Sequence, residues 1–164
     1  MNPLVSLVIL NYNGKKFIIE VLNSLFNASY KNIELIVVDN NSTDKSPDLI
    51  QEQFPEIKFI QNSENLGFAE GNNVGIRAAT GKYICLINND LKVESAWLEP
   101  LITFLEKHPE YAAVQPKVLS WKEPGKFEYA GASGGFIDKY GLPFMRGRII
   151  DKVENDTGQY DEAV

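Results

Sequence analysis

Apolar residues recur along the first two thirds of the chain in two alternating rhythms. Val5 to Leu10 is a short run of β-branched and leucine side chains that stops at Asn11-Tyr12-Asn13-Gly14, the pattern of a buried strand running into a polar turn. From Lys15 to Asn27 the apolar positions are Phe17, Ile18, Val21, Leu22, Leu25 and Phe26, a spacing of three and four that predicts a helix with one buried face. Ile33 to Val38 repeats the first rhythm and ends at Asp39-Asn40-Asn41-Ser42-Thr43-Asp44. There Ser42 or Thr43 can cap a helix running to about Phe54, with Asp44 in its first turn. Lys58 to Gln61 predicts a weaker third strand, and Asn65-Leu66-Gly67 opens a helix to Ala79 that stops at Gly81. Tyr83 to Ile87 is the fourth strand, ending at Asn88-Asn89-Asp90. A helix over Ser95 to Lys107 precedes Pro109, and Ala112 to Leu119 predicts a fifth strand whose Pro116 places it at an edge or bulge.

Near-continuous apolar strands separated by amphipathic helices describe an α/β fold: a Rossmann-like, mostly parallel sheet covered by helices on both faces and joined by right-handed crossovers. Ligands of such sheets bind outside the carboxyl ends of the strands, and each asparagine-rich turn named above lies on that edge. Residues 1–120 form this α/β region. Beyond Leu119 the periodicity fades, so residues 121–164 are expected to be loop and tail of the same domain. The chain reaches Asp161-Glu162-Ala163-Val164 without an element to close the sheet, and it is expected to be one portion of a longer protein.

With 164 residues, 44% of them apolar, the chain can bury one sizeable core. A net charge of −6 with no cluster of Lys and Arg excludes a nucleic-acid surface. Cys85 is the single cysteine, which rules out an internal disulfide or a thiolate metal cluster and fits a reducing cytoplasm. No stretch reaches the roughly 18 apolar residues of a membrane span.

The chemistry lies in the turns. Asp39 ends the second strand about 28 positions after the first loop, where doubly wound folds often use a carboxylate on a ribose or base; a helix-capping acid is an equal alternative. The first loop carries one glycine, Gly14, where a dinucleotide fingerprint needs three, and no P-loop is present. Gly71 and Gly75 fall on one stripe of a helix and suit close packing on the sheet, whereas Gly67 precedes a helix start whose free N–H groups can face a pyrophosphate. Asn88-Asn89-Asp90 brings a carboxylate and amides to the binding edge, and a carboxylate plus a ligand diphosphate is the usual way to hold Mg²⁺ or Mn²⁺.

Four segments in register, Val8-Ile9-Leu10-Asn11-Tyr12-Asn13-Gly14, Val37-Val38-Asp39-Asn40-Asn41-Ser42-Thr43-Asp44, Asn65-Leu66-Gly67 with Asn73 and Gly75, and Asn88-Asn89-Asp90, resemble the successive donor-site motifs of family 2 glycosyltransferases, which have a GT-A-type fold. The resemblance covers roughly residues 3–120. With Asn88 in place of the first acid of the metal motif, the chain looks most like the rhamnosyltransferase-like branch of bacterial surface polysaccharide synthesis. The resemblance implies a nucleoside-diphosphate sugar donor held by Asn11, Tyr12, Asn13, Asp39, Asn41, Gly67, Asn73, Asn88 and Asn89. Asn11 and Tyr12 would border the base, Asp39 would meet the base or ribose, and Asp90 would meet a divalent metal, Mg²⁺ or Mn²⁺, on the diphosphate. Asn72 stands where the wider family often has arginine.

The reaction so implied is attack of an acceptor hydroxyl, on a glycan or lipid-linked acceptor, at the anomeric carbon with inversion. The catalytic base has no counterpart here: no acid in residues 120–164 matches the family's, which the resemblance puts further downstream, and Asp138, Asp151 and Glu154 are candidates without a motif. Such an enzyme is expected in the cytoplasm or at the inner face of a membrane, with peripheral membrane association of the full-length protein. Two alternatives remain at this level: a non-catalytic nucleotide-sugar-binding domain, and a nucleotidyltransferase making nucleotide sugars, whose Gly-rich basic loop after the first strand is missing.

Overall fold

The computed structural model describes residues 2–128, 135–149 and 152–161. The chain divides into two compact units, Met1–Trp97 and Leu98–Val164.

The first unit is built from β1 (Val5–Asn11), α1 (Ile18–Phe26), β2 (Ile33–Asp39), α2 (Ser46–Gln53), β3 (Lys58–Gln61), α3 (Gly67–Ala78) and β4 (Tyr83–Asn88). The four strands are parallel in the order β3-β2-β1-β4, so the chain moves outward from β1 to β3 and then crosses back to β1's other side. That reversal is the switch point at which open α/β sheets leave a crevice for ligands.

Alternate side chains of the strands serve the two faces. Val8, Ile36 and Val38 are fully buried with Leu10, Ile60, Val74, Ala78 and Ala79 packed on them, which is the α3 side. The packing is close because α3 has no side chain at Gly75, where a Cβ would stand 2.3 Å from Val8 Cγ1 and 3.1 Å from Val38 Cγ2. Leu7, Ile9 and Val37 point the other way and are buried, as are Ile18, Val21, Leu22 and Leu25 of α1 and Ile50 of α2. The parallel α/β architecture expected from the apolar runs is the observed one.

Two boundaries differ from expectation. Helix α2 starts at Ser46, not at a cap on Ser42 or Thr43: its N-cap is Lys45, left-handed at φ 67°, with no side-chain capping bond. Ser42 is diverted by Asp39, and Asp44 precedes the helix instead of lying in its first turn, accepting from Ser46 N at 3.0 Å and Ser46 Oγ at 2.5 Å. Helix α1 likewise starts at Ile18, since Lys15 to Phe17 form a turn.

The second unit contains α4 (Leu98–Lys107), β5 (Gly135–Ile137), β6 (Pro143–Met145), β7 (Arg148–Ile149) and β8 (Lys152–Val153). The strand predicted over residues 112–119 does not form; only a single bridge joins Leu119 to Phe127. Pro116 supplies no N–H to a ladder, and Lys117 is engaged with Asp156 at 2.8 Å and Asp161 at 2.5 Å. Nor is the remainder plain loop and tail. Two short antiparallel hairpins, β5-β6 and β7-β8, fold there, and Phe127 is 1% exposed with Tyr160 tilted over it at 5.5 Å. Gly147, at φ 80°, closes this small core, because a Cβ would lie 2.7 Å from the Phe127 ring. One aromatic plug leaves no periodicity for a sequence reading to detect.

Candidate donor site at the strand ends

Parallel register places Asn11 beside Asp39 and Leu10 beside Asn88, so three strand ends finish at one level. Asn11 is the hub. Its Nδ2 donates to Asp39 Oδ1 at 2.8 Å, Ser46 Oγ at 2.9 Å and Ser42 Oγ at 3.2 Å, and its Oδ1 accepts from Asn89 Nδ2 at 3.1 Å. One fully buried amide thereby ties the loop after β1 to β2, the start of α2 and the turn after β4, across the switch point. Gly14 is required beside it: a Cβ there would stand 2.3 Å from both Asn11 Oδ1 and Asn89 Nδ2.

Asp39 is 0% exposed. Its Oδ1 accepts from Asn11 and, at 2.6 Å, from Ser42 Oγ; Oδ2 accepts from Ser42 N at 2.8 Å. The carboxylate thus faces inward and shapes the loop through Asn11 and Ser42. Asn13 interlocks with the same loop, donating its N–H to Ser42 Oγ at 2.9 Å and accepting from Thr43 N at 2.9 Å. Asp44 completes the join by accepting Lys15 N at 2.8 Å. Burial pushes the Asp44 pKa up, but hydrogen bonds from Ser46 and Lys15 outweigh it and hold the group below the ordinary aspartate value, keeping it ionised.

Among the described residues, the non-glycine positions with positive φ are Asn13 (51°), Asn41 (63°) and Lys45 (67°), all in these two loops. Left-handed backbone costs a non-glycine residue about 1–2 kcal/mol, least for asparagine, so the interlocked loops hold a conformation that neither would keep alone. The result is a rigid rim from which Tyr12, 50% exposed, and Asn41 face solvent.

Asn88 and Asp90 are exposed at the end of β4. Among the described residues the Asp90 carboxylate has no hydrogen-bond or ion-pair partner. No group of three or more His, Cys, Asp or Glu that could hold a metal ion occurs among them either. A lone exposed carboxylate fits a Mg²⁺ or Mn²⁺ ion that brings most of its oxygen ligands with a diphosphate, and does not fit a metal held by protein alone.

Asn73 is not drawn into this assembly. It sits on the exposed side of α3, donating to Glu70 at 3.1 Å, while Glu70 pairs with Arg77 at 2.6 Å. Asn72 turns inward, its Nδ2 donating to Phe68 O at 2.9 Å. Gly67 adopts φ 76° at the start of α3, and its carbonyl accepts from Asn40 Nδ2 at 3.0 Å. Asn40, which the sequence reading did not single out, is 2% exposed and also meets Asn65 Oδ1 at 3.1 Å and Asn62 Nδ2 at 2.8 Å, tying the end of β2 to the end of β3 and the start of α3. Ser42 and Ser46 are the other positioning residues missed. Their signal was present in the asparagines at every strand end, which are too polar to be buried unless they bond to one another.

Of the acids considered as a base, Asp138 accepts from Tyr140 N and Leu142 N at 2.8 and 2.9 Å, and Glu154 accepts from Tyr160 OH at 2.8 Å. Asp151 and Tyr129 to Gly134 of the glycine-rich segment lie outside the described residues.

The family model "Glycosyl transferase family 2" matches residues 6–153. The chain belongs to that family. A glycosyltransferase of Haemophilus influenzae without an assigned role is 35% identical over 115 residues, covering 68% of this chain and 36% of that protein. The putative teichuronic acid biosynthesis glycosyltransferase TuaG of Bacillus subtilis is 32% identical, covering 63% and 42%. Among solved structures, S. aureus TarS 1–349 in complex with UDP-GlcNAc superposes with a TM-score of 0.59 at 25% identity, over 64% of this chain and 32% of that one. The mannosyltransferase PcManGT of Pyrobaculum calidifontis, in complex with GDP-Man and Mn²⁺, gives 0.53 at 26% identity, over 72% and 34%. The chain therefore spans less than half the length of each of these relatives. Among the described residues, no helix is long and apolar enough to cross a membrane.

Proposed function

We propose that this chain carries the donor half of an inverting glycosyltransferase, binding a nucleoside-diphosphate sugar at the carboxyl ends of β1, β2 and β4 for transfer to a glycan or lipid-linked acceptor. The observation that carries the reading is the Asn11 hub, which spends a buried amide on joining four segments around the switch point while leaving Asp90 unpartnered beside them. A site held this rigidly binds without first having to order its loops.

In this reading Tyr12 and Asn13 border the base, Asn41 and Asn88 line the ribose and sugar side, and Asn89 is set by its bond to Asn11. Asp39 acts through Asn11 and Ser42 instead of touching the ligand, and the first turn of α3 beyond Gly67, whose own N–H is taken by Asn65 Oδ1 at 2.8 Å, offers its N–H groups to the diphosphate. Asn73 contributes only after breaking from Glu70. A bound Mg²⁺ or Mn²⁺ would supply charge for the departing diphosphate, and Asp90 is the residue that would hold it. A donor complex in TarS and a GDP-Man and Mn²⁺ complex in PcManGT support the ligand class. The likeness to TuaG, a putative teichuronic acid biosynthesis glycosyltransferase, supports polysaccharide synthesis. We place the full-length protein at the inner face of a membrane that would carry the acceptor, in peripheral association with it. Asn88 in place of an acid supports the rhamnosyltransferase-like branch.

Calorimetry with UDP, GDP and dTDP, each with and without Mn²⁺, tests the proposal. Binding of at least one nucleotide, tightened by Mn²⁺, is expected; binding of none sinks it.

A further inference from the structure

The β5-β6 hairpin carries a largely exposed apolar surface. Ile137 is 74% exposed, Tyr140 76% and Leu142 64%, and all three lie at the tip or immediately beside it. Farther back, Phe136 and Phe144 stack across the strands at 5.3 Å and are still 43% and 51% exposed. Soluble surfaces tolerate single apolar side chains, but a contiguous patch rimmed by polar groups marks a contact.

The tip is held open by its own hydrogen bonds. Asp138 N donates to Leu142 O at 3.0 Å and Gly141 N to Asp138 O at 3.0 Å. Asp138 Oδ1 accepts from Tyr140 N at 2.8 Å and Leu142 N at 2.9 Å. Tyr140 and Leu142 are thus tied through their N–H groups to the Asp138 carboxylate, and Leu142 also through its carbonyl to Asp138 N. The one acid of the segment also spends its charge on amides inside the loop.

The cations point to the partner. Residues 135–149 contain Lys139, Arg146 and Arg148 against Asp138 alone, in a chain whose net charge is −6. Lys139 lies over the Tyr140 ring at 4.9 Å and Arg146 over Phe136 at 4.7 Å, so positive charge sits directly on the aromatic surface. Aromatic rings beside aliphatic tips and basic side chains match the layered chemistry of a membrane surface, apolar below and anionic above. An acidic protein partner would match the charge but gives no reason for a protruding, solvent-facing Ile137 and Leu142.

We infer that the β5-β6 hairpin is a membrane-docking element that inserts Ile137, Tyr140 and Leu142 among the headgroups of an anionic bilayer, with Lys139 and Arg146 on its phosphates. This assigns the membrane contact of the functional reading to one element, and it stands or falls separately from donor binding.

Flotation of the whole chain with vesicles of phosphatidylcholine, alone or mixed with phosphatidylglycerol, tests it. Binding is expected with the anionic mixture, weakening as salt is raised and falling about tenfold or more in an Ile137→Ser, Tyr140→Ser, Leu142→Ser variant. A single Tyr140→Trp variant guards against misfolding of the triple one: its emission should shift to the blue on adding anionic vesicles. Nucleotide affinity is measured in parallel and should be the same in all variants. No vesicle binding, equal binding by the triple variant, or a Tyr140→Trp emission that stays unshifted each overturns the inference. So does a tip that mediates self-association in solution and ignores vesicles, which would make it a protein contact.

Discussion

At the scale of single residues, the proposed donor site separates side chains offered to ligand from those that hold others in place. Asp90, exposed and without a partner among the described residues, is assigned by the proposal to the first group. One carboxylate binds Mg²⁺ or Mn²⁺ poorly, so metal and nucleotide should each tighten the other by the same factor, and coupling of this kind is typically about 5–150-fold. Titrations with EDTA and with Mn²⁺ should show that enhancement in the native chain and lose it in Asp90→Asn, with the metal-free affinity largely kept. An equal Mn²⁺ effect in both would make Asp90 an ordinary turn residue. Asp39 belongs to the second group. Asp39→Ala strips acceptors from the buried Asn11 amide and from Ser42 N, at a cost of about 1–3 kcal/mol for an unsatisfied buried donor. The expected outcome is a lower melting temperature together with weaker nucleotide binding. Weaker binding with unchanged stability would instead mean that Asp39 reaches the ligand directly.

At the scale of elements, two contacts set how the strands and helices meet. Gly75 brings α3 down on β1 and β2, and Gly75→Ala must push Val8 or Val38 aside, an overpacking cost of about 1–3 kcal/mol. Alanine returns about 0.8–1 kcal/mol as the better helix former, so a net loss is expected, read as a lower denaturation midpoint. A stabilised variant would mean that the helix simply moves out. Glu34, on β2, accepts from Ser6 Oγ on β1, from Thr80 N at 2.5 Å and Oγ1 at 2.9 Å, and from Gly81 N at 3.0 Å just before β4. Burial pushes its pKa up, but these donors outweigh burial and leave it below the ordinary glutamate value of 4.5. A folded pKa below the unfolded one means stability that is fully present above pH 4.5 and is lost as pH falls through the folded value. Glu34→Gln should therefore flatten the acid side of the melting-temperature profile, and an unaltered profile would remove Glu34 from the acid response.

At the scale of the whole molecule, the donor-site reading lies within one of the two compact units. Phe127 is the buried plug of the other, and replacing a buried phenylalanine by alanine costs about 3–5 kcal/mol. Phe127→Ala should expose the amides around β7 and β8 to hydrogen exchange while nucleotide affinity stays as it was. A parallel loss of affinity would show that the second unit completes the site. Cys85, on β4, is pushed up to about 11 by burial, so alkylation by thiol reagents at neutral pH should be slow.

The alternation of apolar strands and amphipathic helices was legible in the chain because the central strands β1 and β2 are buried on both faces and α1 and α2 on one, which forces periods that local sequence must display. The turns at the carboxyl edge were legible for a related reason: the strand rhythm breaks into asparagine and aspartate at Asn11, Asp39 and Asn88, and those breaks mark where backbone leaves the sheet. What local sequence could not display is which way a polar side chain faces. Asp39 and Asp90 are both acids at strand ends, yet one is sealed inside with Asn11 and Ser42 and the other stands in solvent, because β2 has neighbours on both sides while the turn after β4 does not. The same holds for Ser42, which local rules offer as a helix cap and Asp39 takes as a donor, and for residues 112–119, whose strand pattern finds no ladder. Hydrogen-bond partners are chosen among atoms that tertiary packing brings together across 28 or 78 positions of chain, as in the bonds of Asn11 to Asp39 and to Asn89, and no window of sequence contains both ends of such a bond.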